Sequence, residues 1–112
     1  MQTESLKNNS DFREIYKSGK SFANKYLVMY VKKTSLIKNR LGISVSKKVG
    51  NSVIRHRITR LIRESYRLSE ERILTGFDIV IIARVGAKGR DFKEIESAIL
   101  HLFRLHRIWV EN

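Results

Sequence analysis

One stretch limits the fold of this chain more than any other. From Ser52 to Leu68, the residues Ile54, Ile58, Leu61, Ile62 and Ser65 recur so that they fall within one arc at roughly 3.6 residues per turn. Gly50 supplies a flexible break before the run, and Asn51 suits the N-cap. A helix with such an arc must bury it, so the rest of the chain has to provide a second layer. The opposite side has a different character. At about 100° per residue, His56, Arg60, Arg63 and Arg67 form one stripe directly across from the isoleucines, with Arg55 and Arg57 flanking it.

The other segments supply the layer. Ser10 to Lys17 is predicted to be a short helix, capped by Ser10 or Asp11 with Glu14 completing a capping box, and ended by Gly19. Phe12 and Tyr16 are spaced to share a face of it. Ala23 to Lys33 reads as a strand, with Tyr26, Val28 and Tyr30 on one side and Leu27, Met29 and Val31 on the other. Both sides are apolar, so both need cover, one of them from protein or from a ligand. Thr34 to Asn39 is a loop, and Arg40 to Ser46 a second strand joined to the first as a hairpin. Gly76 precedes a buried strand, Phe77 to Ala83. Asp91 caps a last helix with Glu94 three residues on, and Phe92, Ile95, Ile99, Leu102 and Phe103 make its core stripe. Ile108 to Val110 is a short tail. No repeat, linker or domain boundary interrupts residues 1–112, and the pattern implies a single α+β domain, one sheet with helices packed on it.

Charge identifies the kind of partner. The chain carries 23 Lys and Arg against 11 Asp and Glu, a net charge of +12, and such an excess is self-repelling unless a polyanion is bound. Between Ser46 and Arg63 there are six lysines and arginines and no acid. A face that serves only solvation mixes signs, and the planar guanidinium suits phosphates and base edges. Lys47, Lys48, Gly50 and Asn51 stand directly before the helix, where free N–H groups and the helix dipole attract anions. Cysteine is absent, which excludes disulfides and thiolate metal sites. The start has no secretion-signal pattern and the longest apolar run, Ile79 to Ala83, is far short of a membrane span, so a cytoplasmic protein is expected, with no membrane partner. No protein-borne catalytic constellation or metal site is apparent: His56, His101 and His106 lack the spacing of a helical zinc pair, the carboxylates are scattered, and no nucleophile elbow or P-loop occurs. His101 and His106 are expected to face solvent or phosphate.

The run Leu41 to Glu64 closely resembles the signature of the bacterial ribonuclease P protein subunit, carried here by Lys48, Gly50, Asn51, Val53, Arg55, Arg57 and Arg60. Asp11-Phe12, Gly76 to Val80 and Ala83-Arg84 agree with the same family, while Ser52, His56 and Thr59 depart from its usual Ala, Asn and Lys. The resemblance implies an α-β sandwich of order α-β-β-β-α-β-α with a left-handed βαβ crossover, similar to a domain of ribosomal protein S5. It implies that a catalytic RNA with bound Mg²⁺ removes the 5′ leader of precursor tRNA, with no catalytic residue from the protein. It further implies that Lys48, Asn51, Arg55, Arg57, Arg60 and Arg63 dock that RNA. The leader would lie against Phe12, Tyr16 and Tyr30, with Lys47 and Arg84 nearby; aromatics beside cations suit unstacked bases. Two other readings of the charge are a ribosomal or RNA-chaperone protein and a DNA-binding regulator. The second is disfavoured because strands, not a helix-turn-helix, precede the basic helix.

Overall fold

The computed structural model describes residues 2–111. The elements are β1 (Glu4–Ser5), α1 (Asn9–Ser18), β2 (Lys20–Ala23), β3 (Leu27–Lys33), β4 (Arg40–Ser44), α2 (Ser52–Ser69), β5 (Phe77–Ala83) and α3 (Phe92–Leu105), with short 3₁₀ turns at Glu70–Arg72 and Val85–Ala87. The strands form one mixed sheet of order β1-β4-β5-β3-β2. β5 is central because its residues are apolar toward both sides. It pairs antiparallel with β3 (Tyr30 opposite Val80) and parallel with β4 (Gly42 opposite Val80). No helix among the described residues is long and apolar enough to cross a membrane.

The two faces of the sheet are unequally covered. On one, Leu27, Met29, Leu41, Ile79 and Ile81 meet Ile58, Ile62 and Tyr66 of α2 and Ile95, Ile99 and Phe103 of α3, all buried. On the other, α1 rests on a small separate cluster of Leu6, Ile15 and Val80, with Phe12, Tyr30 and Ile82 at its margin. Polar contacts reinforce that thin side. Arg40 of β4 makes two bonds to the buried Asp78 of β5 (Nε–Oδ1 2.8 Å, Nη2–Oδ2 2.7 Å) and reaches Asp11 of α1 at 3.6 Å. Lys32 of β3 pairs with Glu14 of α1 at 3.2 Å.

Several expectations are corrected by these contacts. α1 begins at Asn9 after Asn8, and no capping box forms, because Asp11 is turned to Arg40 and Glu14 is taken by Lys32 and Ser18. The expected strand from Ala23 is two strands. Asn24 Oδ1 accepts from the N–H groups of Tyr26 and Leu27 (3.2 and 3.0 Å), which turns the chain there and makes β2–β3 the true hairpin. β3 and β4 are not paired, since β5 lies between them, and β4 ends at Ser44 rather than Ser46. β1, too short for any periodicity, adds a strand before α1 in the order. The caps of the two long helices agree with the reading. Asn51 Oδ1 accepts from Ile54 N–H at 3.0 Å, and Asp91 and Glu94 complete a capping box.

Candidate nucleic-acid interface

The start of α2 is built by close packing. Val49 is buried and its N–H bonds the Ser46 carbonyl at 3.1 Å, which folds Lys47 and Lys48 into an exposed turn. Gly50 sits so tightly against Ile54 that a Cβ there would stand 2.8 Å from Ile54 Cγ2. The site therefore needs glycine for clearance. Asn51 spends its side-chain oxygen on the cap, which leaves its NH₂ as the group able to meet a phosphate.

Along α2 the arginines differ in their tethering. Arg60 and Arg63 are exposed. Arg57 is exposed but oriented, since its Nη1 donates to the Arg90 carbonyl at 3.1 Å. Arg55 is half-buried, and its Nε is sequestered without a partner among the described residues. Arg67 does not belong with them: it forms a two-bond pair with Glu64 (3.0 and 2.5 Å) that neutralises that end of the stripe. Among the described residues, no ion pair engages Lys47, Lys48, Arg55, Arg57, Arg60 or Arg63. The ion pairs instead engage Lys32, Lys38, Arg40, Arg67, Arg90 and Arg104. The α2 face is thus a concentrated, uncompensated positive field. Open grooves run along both sides of it, one against β4 past Ile43 and Val45, the other against the start of α3.

The aromatic residues gather on the other face of the sheet. Tyr16 lies between Phe12 (ring centroids 6.3 Å) and Tyr30 (5.1 Å, edge-on), so one helix and one strand supply a continuous aromatic row. Burial holds the Tyr16 phenol above its ordinary pKa, with Tyr30 adding in the same direction, so it stays a hydrogen-bond donor at neutral pH. Phe12 rides directly on Gly42, where a Cβ would be 2.6 Å from its ring. It is therefore both an anchor of α1 and a partly exposed ring. Lys47 and Arg84 leave the same end of the parallel pair β4–β5, beyond the rings rather than among them. Arg84 donates through Nη1 to the Asn24 carbonyl at 2.7 Å. Arg13 and Ser44 line the cleft beside Phe12 and Tyr16 and escaped the sequence reading. The available signal for Arg13 was its position three residues before Tyr16, on the same side of the helix.

Two assignments change. His106 is not freely exposed: it is half-buried at the end of α3, its Nε2 donates to the Met29 carbonyl at 2.9 Å, and it packs edge-on to Phe22. Phe92 is not enclosed with the rest of its stripe but lines the α2–α3 groove. No group of three or more His, Asp or Glu capable of holding a metal ion lies together among the described residues.

The chain is similar in sequence and fold to several known proteins. A family model described as ribonuclease P matches residues 1–107. The ribonuclease P protein component of Lachnoclostridium phytofermentans is 66% identical over 106 residues, covering 95% of this chain and 91% of that protein. That of Clostridioides difficile is 54% identical over 104 residues, covering 92% and 91%. The Staphylococcus aureus RNase P protein structure superposes with a TM-score of 0.89 at 38% identity, covering 96% of this chain and 99% of that one. The Thermotoga maritima protein gives 0.82 at 36%, covering 90% and 96%.

Proposed function

The chain belongs to the ribonuclease P protein family, and from that premise we propose that it works as an RNA-binding subunit with two separate contacts. The face of α2, with Lys48, Asn51, Arg55, Arg57, Arg60 and Arg63, docks the catalytic RNA of the enzyme. The aromatic row Phe12–Tyr16–Tyr30, approached past Lys47 and Arg84, holds the single-stranded 5′ leader of precursor tRNA in the cytoplasm. The observation that carries this reading is the uncompensated α2 face, where no guanidinium from Arg55 to Arg63 has a carboxylate partner among the described residues.

Each contact has a physical rationale. Guanidiniums that dock phosphates release counterions, which gives affinity without reading sequence. The edge-on rings offer π-faces for unstacked bases, and such stacking tolerates any base. Because the two contacts sit on opposite faces of one sheet, the protein can hold a substrate strand while remaining docked. In this proposal the cleavage chemistry belongs to the RNA, where RNA and substrate phosphates hold the Mg²⁺.

The test is reconstitution. The protein is mixed with a bacterial ribonuclease P RNA and precursor tRNA at low Mg²⁺, and 5′ leader release is followed. Strong stimulation over RNA alone, lost in the Arg57→Ala/Arg60→Ala variant, is the expected result. No stimulation by the folded protein would refute the proposal.

A further inference from the structure

Phe92 is the first residue of α3 and sits on the stripe that buries Ile95, Ile99, Leu102 and Phe103. Those four are enclosed, whereas Phe92 is only half-buried and forms one wall of the groove between α2 and α3. The neighbouring floor is also apolar: Leu61 is half-buried, and Val53 is 75% exposed. Around this floor stand Arg57, Arg60, Arg63 and His56, with Glu64 also on the lining but paired to Arg67. The groove has a volume of about 970 Å³, at the upper end of the roughly 300–1,000 Å³ usual for small-molecule sites.

A face that bound phosphates alone would gain nothing from exposed Val53 beside half-buried Leu61 and Phe92, and an apolar patch rimmed by polar groups marks an interaction site. An unpaired nucleotide matches both parts of the groove. Its base has a flat π-face for the Phe92 ring and apolar edges for Val53 and Leu61, while the phosphates on either side meet the cationic rim. Arg57 is already held at this groove by its bond to the Arg90 carbonyl, with its remaining N–H groups available to a ligand. Bases within a duplex are stacked on their neighbours and cannot enter. The occupant must come from a loop, bulge or end whose bases can be splayed out.

We propose that the α2–α3 groove is a pocket for one unpaired base of the docked RNA, stacked on Phe92 over Val53 and Leu61, with its flanking phosphates held by Arg57 and Arg60. This deepens the docking role of α2 and rests on it. It makes the docking surface selective for an RNA with an extruded base at that point, which a purely cationic helix would not be.

The experiment measures the affinity of a bacterial ribonuclease P RNA over a range of salt for the wild type, Phe92→Leu, Phe92→Tyr and Arg60→Ala. Leucine keeps the apolar packing under α3 but removes the π-face, and tyrosine restores it. Thermal unfolding of each variant verifies that it is folded. Phe92→Leu should weaken binding by roughly 5- to 150-fold, the range for losing one base stack. The weakening should be equal at every salt concentration, because stacking releases no counterions. Phe92→Tyr should bind within about threefold of wild type, since its ring retains the stacking face. Arg60→Ala should flatten the salt slope by about 0.7–0.9. If Phe92→Leu binds as wild type while Arg60→Ala flattens the slope, the base pocket is refuted and the docking helix stands; the groove then tolerates any apolar filling, as a protein segment would require. If Arg60→Ala leaves the slope unchanged, the docking reading fails and the pocket falls with it.

Discussion

At Gly42 the Phe12 ring of α1 lies directly on β4, and replacing the glycine by alanine tests how the aromatic cleft is assembled. A Cβ at this buried position would lie 2.6 Å from Phe12 Cζ, 2.7 Å from Cε1 and 3.3 Å from Leu6 Cδ1. Carbon atoms rest at about 3.5–4.0 Å, so the ring has to withdraw by roughly 1 Å. Overpacking of this kind costs about 1–3 kcal/mol. Because Phe12 is only half-buried and can yield, the lower part of the range applies, about 1–2 kcal/mol. For a chain of this length that is a fall of roughly 5–10 °C in Tm, readable by circular dichroism. The decisive comparison is the same substitution in a Phe12→Ala background, where the obstruction is gone. There Gly42→Ala should cost less than about 0.5 kcal/mol, giving a coupling of about 0.5–2 kcal/mol in the double-mutant cycle. An equal cost in both backgrounds would refute the seating of Phe12 on Gly42. Where the coupling is found, Gly42→Ala should also weaken long-leader substrates more than mature tRNA, because the displaced ring belongs to the proposed leader row.

Two further perturbations probe the supports of the site. Arg40→Met leaves the carboxylate of Asp78, itself buried, without its two bonds, and should cost about 3–5 kcal/mol in urea unfolding; a loss below about 1 kcal/mol would show that the pair does not hold β4, β5 and α1 together. Burial lowers the pKa of His106, against a weaker opposing pull from its bond to the Met29 carbonyl. The unfolded chain therefore binds the proton more readily, at its ordinary value of about 6.5. The stabilising contribution is complete above that value and is lost as pH falls through it toward the lower folded value. Tm should drop between about pH 7.5 and 5.5, and His106→Gln should flatten that drop; an unaltered profile in the variant would remove His106 as its source.

The sequence disclosed the elements with long-range periodicity and missed those fixed by single side chains. α2, α3 and β5 were legible because each buries a regular apolar pattern and the caps Asn51 and Asp91 are strong local signals. The division of β2 from β3 depended on the Asn24 carboxamide bonding to Tyr26 and Leu27, a local competitor to the strand inside an apolar run. The β3–β4 hairpin was inferred from adjacency in the chain, but a central strand apolar on both sides takes both as neighbours, and only tertiary packing reveals that. The arginine face could be read from helical phase alone. Which arginines remain free could not: Arg67 is neutralised by Glu64, whereas Arg57 is oriented by a carbonyl distant in sequence. Phe92 looked like core because its phase is that of core, and the groove it lines is formed by residues of α2 that lie far from it in the sequence.

The unequal covering of the two sheet faces also has a dynamic consequence. α2 and α3 share one continuous core with the sheet, so neither can separate without exposing Ile58, Ile62, Tyr66 and Phe103 together. α1 is attached mainly through Ile15, Leu6 and Val80, aided by partly exposed ion pairs from Asp11 and Glu14 that each contribute at most about 1 kcal/mol. Fully burying one isoleucine is worth about 1.5–3 kcal/mol. The helix that carries Phe12 and Tyr16 should therefore open locally at a free energy well below that of global unfolding, while the docking helix opens only with the whole domain. Native-state hydrogen exchange resolves this. The amides of α1 between Phe12 and Lys17 should exchange several kcal/mol more readily than those of α2 between Ile58 and Tyr66. Adding precursor tRNA with the catalytic RNA should then slow exchange in α1 more than in α2, because a bound leader would hold α1 to the sheet. Equal protection of the two helices in the free protein would place α1 in the same cooperative unit as the core, and the cleft would then be rigid before any strand enters it.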